Sequence, residues 1–275
     1  MRAVIILFVI VLASAFCAMR EVSLASSLAG QGADRLTPLQ REIEKQSQRL
    51  SSLEPEDRRD ALIRLGNLHR QDASRAAAAA LNDVVPSVRV SAAHAIVSLP
   101  SDEAARLLIP LLQDRFEFVR REGAYALGET RSRSAVGSLA NLLLSDKEAA
   151  VRGAAAMALG QIADESAVPA LSQVLPGTQS TSKKKKAKTS PDEFVMRAAA
   201  RSLGQIRSRA AVEVLIATLS NQGNPTDVRR EAATALGVIG DPSAMPALRA
   251  AFASDDPYLS DAARAALRKV ASSKN

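Results

Sequence analysis

One short pattern, V-R-x-x-A-A-x-A-L-G, returns along most of this chain and restricts its possible folds more than any other feature. Val151-Arg152 with Leu159-Gly160 recurs as Val119-Arg120 with Leu127-Gly128, as Val88-Arg89 with Ile96-Val97, and as Val228-Arg229 with Leu236-Gly237. Weaker copies set Val195 with Leu203-Gly204, Leu259 with Leu267-Arg268, and Asp57 with Leu65-Gly66. The closing positions, 66, 97, 128, 160, 204, 237 and 268, are separated by 31, 31, 32, 44, 33 and 31 residues. A near-constant period of this size implies stacked supersecondary units, each too small to bury its own apolar faces.

Each period holds two helical patterns. In "ESAVPALSQVL", Val168, Leu171 and Leu175 recur at three and four, and Pro169 sits in the first turn, where its missing N–H costs nothing. Asp164 precedes it as an N-cap. In "AAVRGAAAMALGQI", Val151, Ala155, Ala158, Leu159 and Ile162 form one stripe, and Gly160 stands near the expected C-terminal end, where glycine commonly terminates a helix. The same grammar recurs in "DPSAMPALRAAF", with Asp241 and Pro246, and in "PYLSDAARAALRKV". Upstream, Thr37, Pro38 and Gln40 spell a capping box. Two helices per period predict seven hairpins over 38–69, 73–99, 102–130, 133–162, 166–206, 209–239 and 243–271. The polar runs "REIEKQSQR" and "RKVASSKN" suit the two ends of such a stack.

The side chains available for a core agree. Apolar residues make up 47% of the 275, yet aromatics are 3% and Trp is absent. Helices must then pack through Ala and Leu at close range, which points to an all-α chain.

The chain opens with "MRAVIILFVIVLASAFCAM": Arg2, an apolar run, then Ala13-Ser14-Ala15. Residues 1–18 therefore read as a signal peptide or short N-terminal anchor, with export to the periplasm or cell envelope, and 19–35 as a flexible spacer before a solenoid over 36–275. The one Cys, Cys17, lies in that leader, so no disulfide or thiolate cluster is expected beyond it. Of the formal net charge of +7, five charges belong to Lys183, Lys184, Lys185, Lys186 and Lys188 in a polar insertion at 178–190. A run of this kind is ordinarily a solvated loop, and its alternative role is contact with an anionic membrane surface.

The Val-Arg…Leu-Gly copies, with the A-V-P-A-L and A-M-P-A-L helices, resemble HEAT repeats of the short bacterial type found in phycobilin lyases. The resemblance covers about residues 73–271; Asp57, Val97 and Arg268 depart from the pattern. It implies a right-handed α-solenoid whose second helices line the concave side. Most such arrays are protein-binding scaffolds, and a few are enzymes, phycobilin lyases and deoxyhypusine hydroxylase among them. The hydroxylase holds iron through His-Glu pairs, and here His69 precedes Arg70 and His94 precedes Ala95, so neither a metal nor a cofactor is expected. Phosphate-cradling and nucleophile-elbow motifs are also missing, and no catalytic residue is assigned. With no Trp and two Tyr, nucleic acid is not an expected partner.

Two sets of residues stand out. Asp83 with Arg89, Asp114 with Arg120, and Asp146 with Arg152 keep a constant spacing, so stacking turns them into rows in which each guanidinium can bridge carboxylates of its own and the adjacent unit. On the second helices, the positions two and six after the Val lie four apart and share a face. They bring His94, Tyr125 and Met157 into one column, with Arg121, Arg197 and Arg201 beside it. Aromatic, Met and Arg side chains are enriched at protein interfaces, so these six are the candidate contacts for a protein or peptide. The expected function is a non-enzymatic scaffold; the alternative is an enzyme or accessory of the lyase or hydroxylase kind.

Overall fold

The computed structural model describes residues 36–175 and 192–272. The expected leader at 1–18, the spacer at 19–35 and the Lys tract lie outside these residues. The described residues form fourteen α-helices and no strand. In chain order the pairs are α1 (Pro38–Arg49) and α2 (Pro55–Asn67); α3 (Gln71–Ala77) and α4 (Pro86–Ala95); α5 (Ser101–Leu108) and α6 (Glu117–Thr130); and α7 (Val136–Ser145) and α8 (Ala149–Ile162). There follow α9 (Val168–Gln173) and α10 (Glu193–Ile206), α11 (Val212–Ser220) and α12 (Thr226–Ile239), and α13 (Met245–Phe252) and α14 (Pro257–Ser272).

Local chemistry explains where the helices start and stop. Thr37 Oγ1 accepts from the Gln40 amide at 3.2 Å while Gln40 Oε1 accepts from the Thr37 amide at 2.9 Å, the reciprocal capping box, with Pro38 at the first helical position. Asp164 and Asp241 accept from the amides of Ser166 and Ser243, both at 2.9 Å. After α5 the chain continues as a 3-10 helix over Ile109–Gln113, because Pro110 has no N–H to close an α-helical bond.

The Gly of each Leu-Gly pair does not cap its helix. Gly160 sits inside α8, and the left-handed residue that ends the helix is Ala163, φ 56°. Left-handed His69, Arg131, Arg207 and Gly240 stand in the same register, three residues after Gly66, Gly128, Gly204 and Gly237. The Leu-Gly glycines serve helix contact instead. A Cβ on Gly128, Gly204 or Gly237 would lie within 2.9 Å of the Cα of Ala158, Ala235 or Ala266 on the following second helix, and one on Gly66 would lie 3.2 Å from the Ala95 Cα. Gly and Ala thus let second helices meet backbone to backbone.

Buried Val88, Val119, Val151, Val195 and Val228, with Leu65, Ile96, Leu127, Leu159, Leu203 and Leu236, carry the core from unit to unit. Each such side chain contributes roughly 1.5–3 kcal/mol when taken from water. Consecutive second helices pack along their length, and consecutive first helices meet more sparsely. The second helices are thus the tighter, inner layer of the α-solenoid. The ends differ from the middle as a stack requires: α14 buries Leu259, Ala263, Ala266 and Val270 on one stripe, whereas α8 buries residues around most of its circumference.

Candidate functional site on the second helices

The aspartate-arginine row is an inter-unit ladder with a geometry more specific than its spacing predicts. Arg89 Nε and Nη2 grip the Asp114 carboxylate at 2.8 and 2.9 Å, and Arg120 grips Asp146 at 2.6 and 3.0 Å. Toward its own unit each Arg meets a backbone carbonyl and not the expected carboxylate: Arg89 Nη1 donates to Asp83 O at 2.8 Å, and Arg120 Nη1 to Asp114 O at 3.0 Å. Arg152 keeps this second half, with Nη1 on the carbonyls of Asp146 and Lys147 at 3.0 and 3.1 Å. The row begins one unit earlier than the Asp-Arg spacing indicates, since Arg58 grips Asp83 at 2.8 and 2.9 Å and bonds the Ser52 carbonyl. Arg58 was legible as the residue after Asp57 in the repeat, but Ser52 occupies the place of the earlier aspartate and hides it.

Each ladder aspartate also accepts from an amide two residues on, that of Val85, Phe116 or Glu148. Burial alone would raise the Asp83 and Asp146 carboxyls; the Arg58 and Arg120 hydrogen bonds, these amides and the guanidinium charges hold both below the usual carboxylate range. Met196, which stands where the next Arg would be, is buried. In the following unit Arg229 Nε donates to the Leu219 carbonyl at 2.9 Å.

The six candidate contact residues lie on successive second helices: His94 on α4, Arg121 and Tyr125 on α6, Met157 on α8, and Arg197 and Arg201 on α10. Their polar ends are engaged within the chain. Glu122 takes His94 Nε2 at 3.2 Å and Arg121 Nε and Nη2 at 3.2 Å. Arg201 Nη2 meets Glu231 at 2.5 Å, and Arg197 Nη1 lies 3.5 Å from Asp227. Asp227 also pairs with Arg230 at 2.9 Å, and Arg230 lies 6.0 Å from the Tyr258 ring centroid. Glu122 and Glu231, both three residues after a repeat Val, escape a reading confined to the two columns.

Between these charged ends lies an apolar stretch. Tyr125 and Met157 are half-buried, and burial pushes the Tyr125 phenol up. Phe194, 45% exposed, lays its ring over Gly153, where any Cβ would collide with it. This aromatic was missed because it precedes its Val by one position; that row also holds Phe118 and Tyr258 and shares the face. The inner positions of α8, Ala150, Gly153, Met157 and Gln161, bear no charge. Among the described residues no group of three or more His, Cys, Asp or Glu side chains could hold a metal ion, and no helix is long and apolar enough to cross a membrane.

The model for HEAT repeats matches residues 43–127, 105–181 and 184–268, which together span most of the chain. The chain belongs to the HEAT-repeat family. Among curated proteins nothing matches. Solved structures similar to this HEAT-repeat chain include YibA of E. coli, 19% identical with a TM-score of 0.56, over 84% of this chain and 82% of that one. The complex of CpcE and CpcF of phycocyanin lyase from Nostoc sp. PCC7120 is 24% identical with a TM-score of 0.50, over 88% and 89%. An engineered protein matches at 24% and 0.51, over 84% and 68%. At these identities the likeness establishes the solenoid fold alone.

Proposed function

We propose that this HEAT-repeat chain is a non-enzymatic scaffold that grips a protein or peptide on the concave face of its solenoid, and that it works in the cell envelope to which its leader-like first residues would direct it. The observation that carries the reading is the uncharged inner face of α8, bordered by Tyr125 and Phe194 and closed at either side by the Glu122 and Glu231 clusters. Apolar anchors ringed by polar groups are the usual anatomy of a protein-binding patch. Tyr125, Met157 and Phe194 supply the anchoring. His94, Arg121, Arg197 and Arg201 sit at the rim, where internal carboxylates fix their orientation and a partner's polar groups compete for them.

Affinity purification of the tagged chain from an envelope extract tests this. Partners recovered with the unaltered chain should fall at least about tenfold with Met157→Glu, which buries a charge at the centre of the patch. Ile63→Glu, on the inner face of α2 but remote from the patch, should leave recovery unchanged. Equal recovery with Met157→Glu removes the reading.

A further inference from the structure

The ladder reaches α8 and then lacks its next rung. Arg58, Arg89 and Arg120 are held alike: Nη1 is tied back to carbonyls of its own unit, which leaves Nε and Nη2 aimed at the carboxylate of the next. Arg152 holds the same position on α8 and makes the same anchoring bonds, to the carbonyls of Asp146 and Lys147. Among the described residues no carboxylate meets its Nε or Nη2. By repeat register the missing aspartate falls at Ser190, and residues 176–191 contain neither Asp nor Glu. Arg152 lines an open cavity of about 450 Å³ together with Lys147, Gln173, Asp192 and Met196. Its two acids are otherwise engaged. Asp146 is gripped by Arg120 and by the Glu148 amide, and Asp192 caps the Phe194 amide at 2.9 Å.

We infer that Arg152 is a receptor for one carboxylate from another molecule, an Asp or Glu side chain of an acidic peptide segment that enters where the next unit's ladder aspartate would sit. A guanidinium already fixed by two carbonyls loses little freedom on binding, and its planar fork matches a carboxylate through two parallel bonds. The three complete rungs demonstrate the fit at 2.6–3.0 Å. Lys147 at the cavity adds a second positive charge toward an acidic segment, beside acids that are already engaged. The fork is one residue before Gly153 and so faces away from the inner surface, which makes this site independent of the concave patch.

A fluorescein-labelled octa-aspartate peptide, followed by anisotropy with the full chain, tests the inference. Arg152→Lys keeps the charge and removes the fork, and should weaken binding about tenfold. Tyr125→Ala, on the inner face, should leave this binding unchanged, which separates its failure from that of the concave patch. A second measurement needs no variant: succinate should displace the peptide more effectively than chloride at equal ionic strength. Peptide binding that is unaltered by Arg152→Lys, equal displacement by chloride and succinate, or no binding at all would overturn the inference.

Discussion

The first four units and the last three hold their neighbours by different means. From α2 to α8 the units are cross-linked by buried bidentate rungs, Arg58 to Asp83, Arg89 to Asp114 and Arg120 to Asp146, whose side chains are no more than 12% exposed. From α10 onward no aspartate continues the row among the described residues. The cross-links between second helices there lie on the inner face, Arg201 to Glu231 and Arg197 to Asp227, with arginines 56% and 37% exposed. What the two halves share is close Gly-to-Ala contact between second helices, at Gly66 and Gly128 in the first and at Gly204 and Gly237 in the last. The backbone seam is therefore the common device that stacks the units, and polar cross-links are additions whose value depends on burial.

The largest expected effect tests the shared seam. Gly204→Val in the second half should lower stability by about 3 kcal/mol, measured by urea unfolding, because its Cβ meets the Ala235 backbone and neither helix can yield. Gly66→Ala in the first half meets Ala95 at 3.2 Å, so the clash and the gain of about 1 kcal/mol in helix propensity should nearly cancel. Next comes the contrast in cross-links. Asp146→Asn should cost about 2 kcal/mol, since it leaves a buried guanidinium short of its charged acceptor. Asp227→Asn, at an exposed pair, should cost less than about 0.5 kcal/mol. Acid gives the same contrast. Asp83 and Asp146 ionise more readily in the folded chain, so their contribution is complete above the unfolded value near 3.9 and is lost as pH falls through the lower folded value. Thermal melts should therefore fall below about pH 4, and fall less in Asp146→Asn. Smallest is the end of α8, where Ala163→Gly should raise stability by about 0.5 kcal/mol through relief of the left-handed backbone.

Much of the fold was legible in the chain because a repeat multiplies weak signals. Val and Leu at fixed intervals, a Pro in the first turn and a capping Asp each say little alone, but their joint recurrence implies paired helices stacked in register. The candidate surface was less legible. The columns of His94, Tyr125 and Met157 follow from helical periodicity, yet the pairing of His94 with Glu122 and of Arg201 with Glu231 does not, because those carboxylates act across units from a neighbouring column. Phe194 was hidden for a similar reason: its importance comes from lying over Gly153, more than forty residues earlier in the chain.

Periodicity and residue size were enough to specify helical hairpins, their order and the small-residue contacts between them, since those depend on spacing along the chain. Which half of each guanidinium faces a carbonyl and which an aspartate, why Gly160 is a contact and not a cap, and where the ladder stops were decided only by tertiary packing. Such features depend on distances between side chains of different units, to a few tenths of an ångström, and no one-dimensional pattern records them.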